Sequence, residues 1–177
     1  MHLLEFGDHR FLLDCGITRG RREDARRRNW DFGFDSSTID AVFVSHAHVD
    51  HCGNLPNLVR QGFSGPIYCT PATRDLIEVM LKDTARINQH ENLMRADVRD
   101  PRHAEFLFDY EDVDRVMEMC SGVEYQEPTT INPDVQIRFI DAGHILGSAM
   151  IELKGRIGGR VYSIVFTGDL GRRGVPY

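Results

Sequence analysis

The chain has 177 residues, 41% hydrophobic and 27% charged, which is enough for one domain with its own core. With 21 basic against 27 acidic residues the formal net charge is −6, which excludes a surface that attracts nucleic acid everywhere but leaves room for a local basic groove. No apolar run spans a bilayer, and Met1 to Asp8 lack the basic start and apolar stretch of a signal peptide, so a cytoplasmic protein with no membrane partner is expected.

Two short apolar runs, Leu3 to Phe6 and Arg10 to Asp14, flank Gly7-Asp8-His9 and predict a hairpin. Cys15 to Asp40 reads as a long polar connection. Ala41-Val42-Phe43-Val44 is a continuous apolar run ending at Ser45, the pattern of a buried strand. Leu55, Leu58 and Val59 fall at helical spacing, and Ile67-Tyr68-Cys69 predicts another strand. Thr70-Pro71 then supplies a helix cap followed by proline at the first helical position. The apolar stripe of that helix is expected from Leu76, Ile77, Met80, Leu81 and Ile87.

The polar stretch Asn88 to Asp109 reads as helical. Glu111 to Cys120 reads as a further helix with Val113, Val116, Met117 and Cys120 on one side. The last third turns to strands at Val135 to Ile140, Ala149 to Leu153 and Val161 to Phe166. Helices and strands interleave, so the fold class is α/β with a mixed sheet or sheets. Cys15, Cys52, Cys69 and Cys120 form no Cys-x-x-Cys pair and read as reduced, mostly buried thiols.

The chemistry concentrates in Ser45-His46-Ala47-His48-Val49-Asp50-His51, where His46, His48, Asp50 and His51 offer four potential ligands in six positions. Imidazole nitrogen and carboxylate oxygen suit zinc and similar cations. On a segment leaving a strand, His46 and His48 share a face, while Asp50 and His51 turn toward a second position. A chance cluster of surface histidines is the competing reading, and this density disfavours it. Two glycine-flanked loops add to the set. Asp141 to Ala149 carries His144 directly after a strand, and Thr167-Gly168-Asp169-Leu170-Gly171 carries a carboxylate able to bridge two cations. Alone, either loop reads more readily as a buried histidine or a turn aspartate; the combination gives them weight.

With these motifs the chain resembles the metallo-β-lactamase fold and, within it, the β-CASP branch of RNA-processing nucleases. The resemblance runs from about Leu3 to the C-terminus through Leu12-Leu13-Asp14-Cys15-Gly16, His46-Ala47-His48-Val49-Asp50-His51-Cys52-Gly53, the Asp141 to Ala149 loop and Phe166-Thr167-Gly168-Asp169-Leu170-Gly171. The Gly-His-x-x-Gly-Ser-Ala form is similar to bacterial and archaeal β-CASP ribonucleases and to the endonuclease subunit of pre-mRNA 3′-end processing. The resemblance implies an αββα sandwich and two zinc ions, the second more weakly held, with Mn2+ an alternative. His46, His48 and His144 would hold the first ion, Asp50 and His51 the second, and Asp169 would bridge them. Asp14 would support the metal loop from behind. Asp50 and Asp169 would be catalytic in hydrolysing single-stranded RNA to a 5′-phosphate and a 3′-hydroxyl. Residues 1–177 would be the N-terminal part of one metallo-β-lactamase domain with a helical insertion at about 71–120, in which Asn88 to Asp109 would form part of a lid over the site. The family's first strand, β-CASP domain and returning C-terminal segment are not found in the sequence. A last zinc-ligating histidine and a general-acid histidine are expected in that absent part.

Arg19, Arg21, Arg22, Arg26, Arg27 and Arg28 lie close together against Glu23 and Asp24, and Arg19, Arg21 and Arg22 are candidate phosphate contacts. A solvated helix or loop is the plainer reading of that cluster. Trp30, Phe32 and Phe34 follow it and are read as packing at the loop's base rather than stacking on bases. His2, His9, His90 and His103 have no ligand-like neighbours. Two other functions fit a similar metal motif: a thioester hydrolase of the glyoxalase II kind, and a metal-binding domain without catalysis. Unpaired sheet edges also predict a homo-oligomer.

Overall fold

β1 (His2–Phe6) and β2 (His9–Leu13) form the expected hairpin, paired antiparallel from His2↔Leu13 to Phe6↔His9. The structure is a computed structural model and describes residues 1–95 and 107–172, apart from the side chains of residues 22, 23 and 88–95. β3 (Ala41–Phe43) adds to β2 in parallel, β4 (Ile67–Cys69) to β3, and β5 (Cys120–Gly122) to β4. The first sheet therefore has the order β1-β2-β3-β4-β5. The second is antiparallel throughout: β6 (Thr129–Asn132), β7 (Val135–Asp141), β8 (Ala149–Ile157) and β9 (Arg160–Phe166) lie side by side in chain order.

Side-chain alternation along the strands creates two cores. Phe11, Leu13, Ala41 and Phe43 point to the second sheet and meet Ile137, Phe139, Ile151 and Leu153. Their neighbours Leu12, Val42 and Val44, with Ile67 and Cys69, point the other way, to the helices. There α3 (Leu55–Arg60), α4 (Pro71–Arg95) and α5 (Tyr110–Met119) present Leu55, Leu58, Ile77, Leu81, Val113 and Val116. The described residues thus form helix, sheet and sheet layers, three of the four expected. Gln136, Lys154, Val161 and Val165 are exposed on the outer face of the second sheet.

Several expectations need correction. The polar connection after Cys15 contains α1 (Arg22–Trp30), whose end is tied back where Asn29 Oδ1 accepts from Thr18 N at 2.7 Å and Nδ2 donates to Thr18 O at 3.0 Å. The stripe of α4 is Thr73, Ile77, Leu81 and Ala85, a run at i, i+4. Met80 and Ile87 are instead 37% and 47% exposed, because one residue before Leu81 and two after Ala85 lie roughly 100° and 200° round the helix. Cys120 opens β5 instead of closing α5. The start of α5 is fixed by a capping box in which Asp109 Oδ1 accepts from Glu111 N and Asp112 N, while Asp112 Oδ2 accepts from Asp109 N.

β5 and β6 escaped the sequence reading because Cys-Ser-Gly and Thr-Thr-Ile-Asn carry no apolar alternation. All four cysteines are free and buried in the helix-side core. Of the expected lid, α4 continues helical to Arg95; residues 96–106, His103 included, lie outside the described residues, as does the His90 side chain. Among the described residues no helix is long and apolar enough to cross a membrane.

Candidate metal centre

Asp14 directly follows β2, the Ser45 to His48 segment follows β3, His144 follows β7 and Asp169 follows β9. β7 and β9 both run antiparallel to β8, so their ends share one edge of the second sheet. Ala149 N donates to Ser45 O at 2.8 Å and joins that edge to the end of β3. α2 (Val49–Cys52) continues from His48 and carries Asp50 and His51.

Asp14 anchors the arrangement from within. It is 1% exposed with φ +60°, a left-handed conformation that aspartate tolerates better than most side chains. Its Oδ1 accepts from Ser45 N at 2.7 Å, and its Oδ2 accepts from Ser45 Oγ at 2.8 Å and from His51 Nδ1 at 2.7 Å. The His51 proton is thereby held on Nδ1, and the lone pair on Nε2 is left free. The Asp14 hydrogen bond holds His51 above the usual histidine pKa. With its hydrogen on Asp14, Ser45 Oγ accepts from His46 Nδ1 at 3.0 Å, so His46 also presents a free Nε2. One buried carboxylate orients two imidazoles. His46 is fully buried; burial, with His51 beside it, pushes its pKa down to about 4 and keeps it in the neutral form that binds a cation.

The free nitrogens converge. His48 Nδ1 lies 2.9 Å from His46 Nε2 and 3.3 Å from His144 Nε2. Asp169 Oδ2 lies 3.7 Å from His144 Nε2 and 4.0 Å from His46 Nε2. These four ligand atoms all fall within 4.8 Å of one another. Tetrahedral nitrogen and oxygen ligands at about 2.0–2.1 Å from a zinc ion stand roughly 3.3 Å apart, so the set fits one such cation. The other carboxylate oxygen, Asp169 Oδ1, lies 3.4 Å from His51 Nε2, which is 4.0 Å from Asp50 Oδ2. Asp169 thus faces two groups of potential ligands, one through each oxygen. Asp50 and Asp169 are exposed, which leaves the pair of groups open to solvent.

Backbone contacts hold the loops at these distances. Cys15 N donates to His51 O at 2.7 Å and Ile17 N to Val49 O at 3.0 Å, so α2 lies against the turn after Asp14. A Cβ on Gly16 would stand 1.7 Å from Asp50 O. In the same way Gly171 N donates to Ala142 O at 2.9 Å, and a Cβ on Gly171 would stand 1.4 Å from Gly143 O. Only glycine permits either approach.

Comparison with known proteins identifies the family of the chain. The family model described as the metallo-beta-lactamase superfamily matches residues 1–176. The chain belongs to the metallo-β-lactamase superfamily. Solved members include a metallo-β-lactamase of Cronobacter sakazakii with a HARLDQ motif, which superposes with a TM-score of 0.54 at 18% identity over 98% of this chain and 57% of its own, a likeness of fold. Among sequence relatives, the ribonuclease TTHA0252 of Thermus thermophilus is 38% identical over 172 residues, 97% of this chain. The transcription termination factor FttA of Methanocaldococcus jannaschii is 35% identical over 163 residues, 92% of this chain. The chain spans 35% of the length of the first and 24% of the second. Superfamily membership and the His/Asp cluster together indicate a divalent-metal site.

Of the residues expected at the site, the structure brings together His46, His48, His51, His144 and Asp169, with Asp14 behind them and Asp50 at the open side. Cys52 turns away. Its Sγ is 3.4 Å from Ala47 O in the core, and burial pushes its thiol pKa up. Arg19 and Arg21 are exposed on the loop ahead of α1, outside the ligand groups, and the Arg22 side chain lies outside the described residues. Phe32 is buried with its ring 5.6 Å from that of Phe34, which packs at the loop's base, while Trp30 is partly exposed. Sequence reasoning missed Ser45, whose hydroxyl joins Asp14 to His46, and Ser148, whose Oγ accepts from His144 N and Ile145 N at 3.1 Å each. Adjacency to the ligand motifs was their only signal.

Proposed function

We propose that the chain is the metal-holding part of a zinc-dependent β-CASP-type hydrolase that cleaves phosphodiester bonds of single-stranded RNA in its complete protein. His46, His48 and His144 would hold one zinc ion and Asp50 and His51 the second, with Asp169 shared between them and Mn2+ as an alternative metal. When bound, such a pair of ions would supply an activated water and charge stabilisation for an in-line phosphoryl displacement. Asp50 and Asp169 would accept hydrogen bonds from the attacking water at their carboxylate oxygens and orient it. Asp14 keeps His51 in the binding tautomer directly and His46 through Ser45. Arg19, Arg21 and Arg22, from the arginine-rich segment that leads into α1, would contact RNA phosphates. Residues 1–177 act as one domain of the metallo-β-lactamase kind, with α4 and α5 as its helical insertion. Self-association through the exposed edge strand β9 belongs to the same reading, and sedimentation as a clean monomer would count against it.

The observation that carries the two-metal chemistry is the orientation of Asp169, with Oδ2 toward His46 and His144 and Oδ1 toward His51. The choice of RNA is supported by relatives named as a ribonuclease and a transcription termination factor at 38% and 35% identity. The test incubates the zinc-loaded complete protein, of which this chain is the metal-holding part, with 5′-labelled single-stranded RNA and, separately, with a glutathione thioester. RNA cleavage that leaves 3′-hydroxyl ends is expected. Thioester turnover without RNA cleavage would replace this reading with the glyoxalase II type.

A further inference from the structure

The loop that carries His144 is held by hydrogen bonds as well as by packing: Ala142 and Ser148 are buried, and a Cβ on Gly147 would stand 2.6 Å from Thr73 N. Leu146, at its tip, is 59% exposed and gives the outer side of the turn no anchor. Its inner side is closed on itself. Ser148 N donates to Ile145 O at 2.9 Å, Ser148 Oγ accepts from His144 N and Ile145 N, and Ala142 N donates to Ser148 O at 3.2 Å. Residues 142–148 are therefore tied into one hydrogen-bonded unit, and a rotation about its base would carry the His144 ring away from His48.

The first turn of α4 blocks that rotation. Thr70 Oγ1 donates to Gly147 O at 2.6 Å, and Thr73 Oγ1 donates to the same carbonyl at 2.8 Å. Both threonines are buried, and Thr73 N in turn donates to Thr70 Oγ1 at 3.2 Å, so capping of the helix and fastening of the loop use the same hydroxyl. On the other side of the unit, Tyr125 OH donates to Ser148 O at 2.9 Å.

We propose that Thr70 and Thr73 are positioning residues for the metal centre: a two-hydroxyl latch from α4 onto Gly147 O that sets where the His144 nitrogen stands. Neither residue touches a ligand atom. Each acts through the backbone of the loop, as outer partners of a metal ligand do. The inference rests on the reading that His144 holds the metal.

The test measures zinc affinity by competition with a chromophoric chelator, alongside thermal unfolding of the metal-free protein, for the parent, Thr73→Val, Thr73→Ser and His144→Ala. Thr73→Val keeps the shape and removes the hydroxyl, and zinc affinity is expected to fall roughly tenfold. Thr73→Ser restores the donor and is expected to bind within about twofold of the parent, even where its melting temperature falls as far as that of the valine variant. Parent-like affinity in Thr73→Val while His144→Ala binds at least tenfold more weakly overturns the latch and leaves the site reading intact. Unchanged affinity in His144→Ala overturns the site reading itself. Should Thr73→Val fail to fold, Thr70→Val, which keeps the second hydroxyl, is scored in the same way with an expected loss of about threefold, and parent-like affinity there overturns the latch.

Discussion

Replacing Asp14 by asparagine tests whether one buried carboxylate sets the tautomers of the site. The substitution keeps the size of the side chain, and asparagine also tolerates the +60° φ, so the backbone has no cause to move. The amide oxygen can still accept from Ser45 N, but the NH2 group then faces Ser45 Oγ and His51 Nδ1, both of which donate to Asp14 Oδ2 in the native chain. His51 must give up its Nδ1 proton to accept from the amide, and the proton moves to Nε2, toward Asp169 Oδ1. A hydrogen bond to a charged group contributes about 1.5–3 kcal/mol, so a loss of about 2 kcal/mol in the stability of the metal-free protein is expected, partly offset because no charge remains to be buried. Affinity for the cation on the Asp50 and His51 side should fall roughly 10- to 100-fold. Two assays read this directly: metal content after dialysis against a graded chelator, and NMR titration of the His51 ring. Since the Asp14 hydrogen bond is the largest cause of the raised His51 pKa, that pKa should drop toward the ordinary histidine value. An Asp14→Asn protein that keeps both its second cation and a raised His51 pKa would refute the reasoning. Asp14→Ala is a poorer probe, because alanine at positive φ adds about 1–2 kcal/mol of strain unrelated to the tautomer.

Asp169→Ala should weaken both metal positions together, since each of its oxygens faces a different one; metal analysis showing full retention would remove the bridge. Gly16→Ala drives a Cβ into Asp50 O, 1.7 Å away, and should cost about 3 kcal/mol or more and displace Asp50 and His51, measured by chemical denaturation and metal content; a variant as stable as the parent would contradict the contact. In the metal-free protein the histidines predict a stability maximum near pH 6.5. His46, depressed to about 4, takes up its proton more readily when unfolded, so stability falls as pH drops from about 6.5 to 4, by at most about 3 kcal/mol. His51, raised, stabilises below about 6.5 and loses that contribution as pH climbs through its folded value. Melting temperatures in chelator across this range should show the acid-side slope, and His46→Asn should flatten it.

How much of this was legible in the sequence depended on how narrow the chemistry is at each position. Few side chains bind cations, so His46, His48, Asp50, His51, His144 and Asp169 stood out by type and spacing. Ala41 to Val44 and Val135 to Ile140 were legible as strands because burial on both faces or on alternate residues leaves an apolar record. β5 and β6 were not, because a short strand at or near a sheet edge needs backbone hydrogen bonds and little else, and Ser121, Gly122 and Thr129 satisfy that without a pattern. The error over Met80 and Ile87 has the same origin. Both are apolar and near helical spacing, but which side of α4 is covered was decided by α5, β5 and the helix-side core, information the local sequence lacks.

The supporting residues were hidden for a different reason. Ser45, Thr70, Thr73 and Ser148 are common residues that fill turns and caps everywhere, and each acquires its role only when a partner distant in sequence arrives. Ser45 becomes a relay because Asp14, 31 residues earlier, receives its hydroxyl hydrogen. Thr70 and Thr73 become a latch because Gly147, 77 and 74 residues later, turns its carbonyl onto them. Gly16 and Gly171 belong to the same class: their bare Cα atoms let Asp50 and Gly143 approach, and a glycine read alone signals only a turn. Ligand identity is local chemistry and can be read one motif at a time. Ligand position is a property of contacts between motifs, and in this site it rests on hydroxyls, backbone amides and missing Cβ atoms rather than on the ligands themselves.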